Sequence, residues 1–551
     1  MDIFNVLSLL GGLAMFLYGM NVMGDGLAKT AGGKLEKILE KLTSTPIKGV
    51  LLGAAVTGVI QSSSATTVMV VGLVNSGIMK LRQAVGIIMG ANIGTTVTSW
   101  ILSLTGIQSD NIFINMLKPS SFSPILAVIG IIFLMFTKSE KKHDIGGILL
   151  GFTVLMFGME MMSGAVAPLK DVPEFTNILT MFSNPFLGML VGMLITAIIQ
   201  SSSASVGILQ ALCATGAVSF GTAIPIIMGQ NIGTCVTALI SCIGTKKNAK
   251  RAAFVHLYFN IIGTVVFMVV FYTVNSFVHF QFLNDSANAA GIAVVHSVFN
   301  VAATLLLLPF SGGLEKLATL TVRDKDEVEK NTPAELEMLK RLDARFLEKP
   351  AFAVGHCIEV VKYMAQLSKN SVDMALSLVD NYDEAVRDKV EDLEGIIDTY
   401  EDEVGSYMVK LSSKELSHED SQKVSIGLHV IGDLERMSDH AITIADICRK
   451  MNEAGASFSE KAKSELGVYK DAVQNIVSMT VEAYDKEDLQ EASHVEPLEE
   501  AINELNSAVK KQHIKRLQKG KCTIELGISL ENLINNYERV ADHCSNVAVA
   551  M

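Results

Sequence analysis

The chain has 551 residues, of which 49% are hydrophobic and only 19% charged, and its mean hydropathy of +0.38 is too apolar for an ordinary soluble protein. Residues 1–320 carry 17 Lys and Arg against 12 Asp and Glu, whereas the rest of the chain carries 28 against 45. Neither part has the basic excess that contacts to a phosphate backbone require, which excludes a nucleic-acid-binding protein. The sequence therefore predicts a membrane domain followed by an acidic soluble domain.

Seven apolar stretches approach or reach the length of about 20 helical residues that crosses a hydrocarbon core of about 30 Å. They are residues 3–24, 83–104, 122–137, 145–166, 223–244, 252–274 and 290–310. Two further apolar regions, 46–79 and 185–218, are interrupted near their middles by the tetrapeptide Gln-Ser-Ser-Ser. Each flank, roughly 21 Å long as a helix, is too short to span alone. Each region is then either one overlong tilted helix or a re-entrant hairpin. Polar residues at mid-depth favour the hairpin, because opened backbone is tolerated in a protein-lined cavity.

The loop charges agree with two hairpins. In that topology the cytoplasmic segments 25–48, 80–82, 138–143 and 246–251 hold 14 basic residues, and the outer segments 105–121, 165–184 and 275–289 hold two, Lys118 and Lys170. Basic residues concentrate in cytoplasmic loops of membrane proteins. We therefore expect a multi-pass protein of the cell (inner) membrane with its C-terminal domain in the cytoplasm.

The sequence repeats itself at an offset of 139 residues. Gln61-Ser62-Ser63-Ser64 aligns with Gln200-Ser201-Ser202-Ser203, and Gly90-x-Asn92-Ile93-Gly94-Thr95 aligns with Gly229-x-Asn231-Ile232-Gly233-Thr234. Three full spans and one hairpin separate equivalent points, so the two copies, about 1–138 and 139–274, should face opposite sides of the membrane. Inverted repeats with broken helices are typical of secondary transporters.

Hydroxyl and amide groups at the hairpin tips are candidates for ion binding. Backbone N–H groups at a helix N-terminus bind anions, whereas freed carbonyls and side-chain oxygens suit a hard cation. A second short repeat pairs His256-x-x-Phe259-Asn260 with His296-x-x-Phe299-Asn300, which we interpret first as buried polar packing. Glu160 is the one carboxylate well inside a predicted span, and packing is favoured over function for it as well.

These motifs, taken in order, resemble the type II sodium-dependent phosphate cotransporter family, in a bacterial form, over roughly residues 1–310. The resemblance implies a sodium-coupled symporter of inorganic phosphate in the membrane, with sodium as the co-substrate. The second tetrapeptide continues as Ala-Ser-Val rather than Ala-Thr-Thr and has fewer hydroxyls. The candidate substrate and sodium ligands are Gln61, Ser62, Ser63, Ser64, Thr66, Asn92, Thr95, Gln200, Ser201, Ser202, Ser203, Ser205, Asn231 and Thr234.

The C-terminal part is predicted to be helical, with a connector at 311–346 and a domain at 347–551 made of two three-helix units, 350–452 and 459–550. Glu435-x-x-x-Asp439-His440 aligns with Glu538-x-x-x-Asp542-His543 at an offset of 103, and Glu394-x-x-x-Asp398 aligns with Glu499-x-x-x-Asn503. This arrangement resembles the PhoU family of cytoplasmic regulators of phosphate transport. The resemblance implies a divalent or trivalent metal held by Glu394, Asp398, Glu435, Asp439, Glu538 and Asp542, with Asn503 departing from the acidic pattern. It leaves open a homodimer or a contact with a regulatory protein.

The predicted fold class is thus all-α, a polytopic membrane protein with two inverted repeats followed by a tandem three-helix-bundle domain. No Walker glycine loop, dinucleotide fingerprint or nucleophile–base motif supports an enzyme. Two alternatives to symport stay open: a membrane receptor that senses phosphate without transporting it, and an exporter of phosphate or another anion.

Overall fold

The computed structural model describes residues 3–31, 45–106, 118–172, 181–323 and 333–551. The chain divides into two compact units, Met1–Val328 and Glu329–Met551. The division falls inside the predicted connector, of which residues 324–332 lie outside the described residues. So do most of the predicted cytoplasmic segment 25–48 and parts of the outer segments 105–121 and 165–184.

The first unit is built from twelve α-helices within the described ranges. They are α1 Ile3–Ala31, α2 Pro46–Ile60, α3 Ser63–Asn75, α4 Leu81–Ser103, α5 Pro119–Phe136, α6 Glu140–Val166, α7 Pro185–Ile199, α8 Ser202–Cys213, α9 Phe220–Ser241, α10 Lys247–Val278, α11 Ala289–Leu307 and α12 Ser311–Thr321. The described part of the chain has no β-strand, only an isolated bridge between Ser219 and Ser286. The all-helical prediction is confirmed.

Six segments of the described residues are long and apolar enough to cross a membrane. They are Ile3–Thr30, Leu81–Ser103, Lys141–Leu169, Phe220–Ser241, Lys247–Val278 and Ala289–Thr321. Six of the seven predicted spans fall on them, and the seventh, 122–137, lies on the shorter helix α5. The first unit is therefore a membrane domain.

Each of the two interrupted regions forms a pair of short helices. The first pair is α2 with α3 and the second is α7 with α8, so the single overlong helix considered for each region is wrong. The breaks occur at Gln61 and Gln200, whose φ angles of 59° and 57° lie in the left-handed region. That region is uncommon for a residue with a Cβ. The 139-residue repeat is thus matched helix for helix and break for break.

Glycine contacts hold each first half-helix against the next long helix. A Cβ added to Gly53 of α2 would lie 2.2 Å from the carbonyl oxygen of Ile87 in α4, and one on Gly90 would lie 2.0 Å from that of Val50. The second copy has the same contacts, since a Cβ on Gly192 or on Gly229 would lie about as close to the α9 and α7 backbones. Only glycine allows backbones to approach this closely.

The first helices of the two copies, α1 and α6, also pack on each other through glycines. Gly19 of α1 abuts the backbone of Leu155, and its repeat mate Gly158 abuts that of Phe16. The buried cluster around this contact includes Phe16, Leu155 and five methionines, Met20, Met23, Met156, Met159 and Met162. The two copies therefore meet through equivalent surfaces.

The second unit is a helical bundle. Its helices are α13 Pro350–Ser377, α14 Glu384–Ser412, α15 His418–Glu453, α16 Glu460–Lys486, α17 Leu489–Ala492, α18 Val495–Gln518 and α19 Ile524–Ala550. Two groups of three long helices, α13 to α15 and α16, α18 and α19, follow the predicted 350–452 and 459–550 division. Tyr400, Tyr469 and Tyr537 are among the largest fully buried side chains of the chain.

Candidate functional site

The two Gln-Ser-Ser-Ser breaks are built in the same way. The left-handed conformation of Gln61 ends α2, and the Ser62 hydroxyl then caps α3 by accepting a hydrogen bond from the Ala65 N–H at 3.2 Å. In the second copy Ser201 caps α8 through the Ala204 N–H, also at 3.2 Å. A serine at the N-cap position satisfies one of the free N–H groups of a new helix. Each tetrapeptide therefore ends one helix and begins the next.

The two breaks lie together although 139 residues separate them. Thr98 of α4 is the connecting residue: its hydroxyl donates to Gln61 Oε1 at 2.9 Å, and it accepts a hydrogen bond from the Ser203 hydroxyl at 3.4 Å. A longer contact of 3.5 Å joins the Ser64 hydroxyl to the Gln200 carbonyl oxygen. The structure thus brings both predicted tetrapeptides to one site, and α4 crosses it.

The serines at the helix starts differ in burial. Ser63, Ser202 and Ser203 are buried, whereas Ser62, Ser64 and Ser201 are partly accessible. The site therefore combines two helix N-termini, which attract negative charge, with several hydroxyl groups that donate hydrogen bonds. Chemically, this arrangement suits an oxyanion.

The two asparagine motifs form paired amide contacts. Asn92 donates to Asn260 Oδ1 at 2.8 Å, and its repeat mate Asn231 donates to Asn300 Oδ1 at 3.1 Å. All four side chains are buried. The motif in α4 is therefore tied to α10, and the motif in α9 is tied to α11.

His296 connects the two copies. Its Nδ1 lies 2.8 Å from the Ser99 hydroxyl of α4, and its Nε2 lies 3.4 Å from Asn231 Oδ1 of α9. Because an amide oxygen only accepts, Nε2 carries the hydrogen in the neutral ring and Nδ1 accepts from Ser99. Buried polar packing, the first interpretation of this motif, describes His296.

His256, the equivalent of His296 in the short repeat, is buried at 1% exposure with both ring nitrogens lacking a hydrogen-bond partner. The position equivalent to Ser99 in the second copy is Ala238, which has no hydroxyl to offer. A buried polar group without a partner is destabilising.

The remaining predicted ligands fall into two groups. Thr95 and Thr234 bond back to carbonyl oxygens of their own helices, at 3.1 and 3.0 Å. Thr66 pairs with the Thr57 hydroxyl at 3.0 Å, whereas the equivalent residues Ser205 and Thr196 are buried without partners. The two copies, similar in backbone, thus differ in hydrogen bonding.

Three contact residues are absent from the predicted ligand set: Thr98, Ser99 and His296. Thr98 and its repeat mate Thr237 continue the polar face of the Gly-x-Asn-Ile-Gly-Thr segment, one turn beyond Thr95 and Thr234. This spacing along one helix face is the sequence signal that points to Thr98. The residue equivalent to Ser99 in the second copy is Ala238, which has no hydroxyl, so the repeat gives no indication of a role for Ser99.

The predicted metal ligands of the soluble unit lie on helices α14, α15 and α19. Burial and the nearby Asp439 raise the pKa of Glu435 to about 7, with Glu401 adding to the effect. The pKa of Glu394 is raised by burial and by Asp439 and Asp398. Asp439 is thus close enough to repel both Glu394 and Glu435, and Asp398 is close enough to repel Glu394.

The second-unit candidates have partners that the first-unit candidates lack. Glu538 accepts a hydrogen bond from Asn506, and Asp542 pairs with Arg539 at 3.2 Å. Burial and the nearby Asp542 raise the pKa of Glu499, the equivalent of Glu394. Across all the residues that the structure describes, no three His, Cys, Asp or Glu side chains are grouped so that they could hold a metal ion. The structure therefore contains an acidic cluster in the first unit but no preformed metal centre in its described part.

Comparison with known families agrees with this division of the chain. The Na+/Pi-cotransporter family model matches residues 15–164 and 171–293, and the PhoU domain model matches residues 361–448 and 468–551. The uncharacterized protein YqeW of Bacillus subtilis is 30% identical over 57% of this chain and 97% of its own length.

Two other relatives match different extents of the chain. YjbB of Salmonella typhimurium, provisionally named an inorganic phosphate export protein, is 23% identical over 99% of this chain and 97% of its own. Sodium-dependent phosphate transport protein 2A of Rattus norvegicus is 38% identical over 17% of this chain and 15% of its own. Among solved structures, PhoU from Pseudomonas aeruginosa aligns with 37% of this chain and 96% of its own at 18% identity and a TM-score of 0.35.

Proposed function

The chain belongs to the Na+/Pi-cotransporter family and carries a C-terminal PhoU-like domain, and from this premise we propose that it moves inorganic phosphate across the cell membrane in symport with sodium. The observation that carries the proposal is the meeting of the two Gln-Ser-Ser-Ser breaks at Thr98. Two helix N-termini and their serine hydroxyls suit phosphate. Side-chain oxygens of Gln61 and Gln200 and the carbonyls freed at the breaks suit sodium, a hard cation.

The same proposal assigns roles to the helices. Each broken pair is a re-entrant hairpin, and the two copies are inverted with respect to each other, so that one hairpin reaches the shared site from each side. The support comes from the equivalent breaks at an offset of 139 residues and from the charges of the loops. Alternating access then arises when one hairpin and its long helix move against the other.

A second candidate function is phosphate export. YjbB, which matches 99% of this chain, is provisionally named for phosphate export, whereas the sodium-dependent relative matches over only 99 residues. Both functions would use the same site, but an exporter would move phosphate along its own gradient without sodium, whereas a symporter requires sodium.

Purified protein in vesicles distinguishes the candidates. An inward sodium gradient should drive uptake of labelled phosphate, and an equal potassium gradient should not. Uptake that ignores sodium but follows a phosphate gradient would support export and contradict symport. Phosphate binding with no flux in either direction would leave the receptor alternative.

For the soluble unit, we propose a cytoplasmic regulatory role in which cations bind the acidic cluster of Glu394, Asp398, Glu435 and Asp439. Mutual repulsion among these carboxylates is the support, because a bound cation would relieve it. Full-length protein purified without chelators, compared with an Asp439→Asn variant, tests the proposal by elemental analysis. Equal metal content in both would contradict this ligand assignment.

A further inference from the structure

A polar cavity in the membrane unit lies apart from the two breaks. It has a volume of about 750 Å³ and is bordered by the end of α4, the start of α5, the second half of α6, the end of α8 and the start of α11. Among the described residues that line it, Lys118 is the one cation and Glu160 the one carboxylate. The cavity is large enough for a hydrated ion.

The floor of this cavity is connected to the central site. Gln210 lines the cavity, and its Nε2 donates to the carbonyl oxygens of Ser99 at 3.1 Å and Ala289 at 2.8 Å. Ser99 in turn bonds His296. The Gln210 Oε1 atom is buried without a hydrogen-bond partner. A polar path therefore leads from the cavity toward the asparagine motifs.

One rim of the cavity is fixed by contacts between two loops. The Ser286 hydroxyl donates to the Gly216 carbonyl oxygen at 2.7 Å, and the Ala287 N–H donates to that of Val218 at 2.8 Å. Both Gly216 and Ser286 line the cavity. The opening is therefore a formed feature of the fold.

The loop charges indicate which side the cavity faces. Thr105, Lys118 and Ser286 belong to segments that the charge distribution assigns to the outside, where only two basic residues occur. One of those two, Lys118, lines this cavity. A cation there raises the local concentration of anions.

We infer that this cavity is an outer binding vestibule for inorganic phosphate, in which Lys118 attracts the anion and Glu160 binds sodium. A bare carboxylate repels phosphate, so a cation at Glu160 favours phosphate entry, and this couples the two ions before they reach the central site. The inference rests on the proposed transport function and adds a second phosphate subsite to it.

Phosphate uptake into vesicles tests the vestibule through the KM. Lys118→Gln should raise the KM for external phosphate roughly fivefold, the size of one weak charge interaction in a hydrated cavity, with kcat nearly unchanged. Lys118→Arg keeps the charge and should restore the KM. Lys316→Gln, which removes a cation of α12 that is not among the cavity-lining residues, should leave the KM as it is.

Glu160→Gln should act in the opposite direction. It removes the repulsion and should lower the KM for phosphate at low sodium. Loss of the sodium dependence of the KM in this variant would support sodium binding at Glu160. Unchanged KM values in both the Lys118 and the Glu160 variants, in protein that transports normally, would overturn the inference.

A binding measurement separates this inference from the transport proposal. A cysteine at Ser163, on the cavity wall, should react with an impermeant thiol reagent added outside, and phosphate should slow the reaction. Combining it with Lys118→Gln should remove the protection. If wild-type protein shows no uptake but this protection persists, the transport proposal fails and the vestibule stands. Sulfate serves as the control anion. If phosphate protects the cysteine no better than sulfate does, the vestibule inference is contradicted.

Discussion

The hydroxyl of Ser203 donates a hydrogen bond to the hydroxyl of Thr98, 3.4 Å away, so that the second broken helix pair is linked to the long helix of the first copy. The Thr98 hydroxyl in turn donates a hydrogen bond to Gln61 Oε1, 2.9 Å away. A single side chain between two repeats is a sensitive place for a substitution.

Thr98→Val should therefore reduce phosphate transport strongly while the protein still reaches the membrane. Valine has nearly the same shape but leaves Gln61 Oε1 and the Ser203 hydroxyl without this partner, at a cost of about 1–3 kcal/mol. We expect a loss of about tenfold in kcat/KM, since about 1.4 kcal/mol corresponds to that factor. Thr98→Ser keeps the hydroxyl and serves as the control. Normal transport by the valine variant would show that the link is dispensable.

Ser203→Ala should lower transport more than a serine change at the edge of the same unit. Ser203 is 6% exposed and touches Thr98, whereas Ser297 receives a hydrogen bond from Trp100 at an exposed position. Initial rates of phosphate uptake for Ser203→Ala, Ser63→Ala and Ser297→Ala, each normalised to the amount of inserted protein, compare these positions. Equal rates in all three would mean that the buried serines only pack.

Ala238→Ser should stabilise the membrane unit. If the repeat places position 238 beside His256 as it places Ser99 beside His296, the new hydroxyl forms a buried hydrogen bond, which contributes about 1 kcal/mol. Ser99→Ala should have the opposite effect. Thermal unfolding in detergent compares the two. A lower melting temperature for Ala238→Ser would indicate that the buried space does not accept the added oxygen.

Cysteines at Thr45 and Asn184 should be labelled from opposite sides of the membrane. These exposed residues are repeat mates and cap α2 and α7. In the proposed inverted topology an impermeant reagent reaches position 45 from the cytoplasm and position 184 from outside. Ser44, which precedes Thr45, lies outside the described residues. Labelling of both cysteines from one side would contradict the inversion.

The stability of the soluble unit should fall as the pH rises from about 4.5 to about 7. The pKa of Glu435, raised to about 7 by burial and by Asp439, means that the folded bundle holds a proton in this range that the unfolded chain releases. Glu435→Gln should flatten this dependence. Hydrogen exchange of α15 at several pH values measures it, with Glu419→Gln at the exposed start of the same helix as the control. An unaltered pH profile in Glu435→Gln would contradict the assigned cause.

The sequence predicted the helices of the membrane unit well because apolar runs and a constant repeat are strong signals. The two Gln-Ser-Ser-Ser tetrapeptides also indicated where both helices break. The sequence could not show which side chains meet across copies: nothing in the chain near Thr98 indicates Ser203 as its neighbour, since that contact depends on how α4 crosses α8. Long-range contacts of this kind follow from packing and have no local pattern.

The acidic motifs of the soluble unit show a different limit. Register across the 103-residue repeat predicted equivalent sites, and Asp542 faces Glu499 as Asp439 faces Glu394. Glu538, however, accepts a hydrogen bond from Asn506, whereas Glu435 faces Asp439 and Glu401. Neighbours on other helices decide whether a carboxylate is neutralised or repelled. Spacing alone does not contain that information.

The glycine contacts between α2 and α4, and between α7 and α9, have a mechanical consequence. Backbones in direct contact at Gly53 and Gly90 leave no side-chain layer that could deform, so each half-helix and its long helix should turn as one stiff lever. A small displacement at the start of α4 would then be transmitted to Thr98. Bending would then occur at Gln61 and Gln200, whose backbone conformation is left-handed, and these two residues would act as hinges.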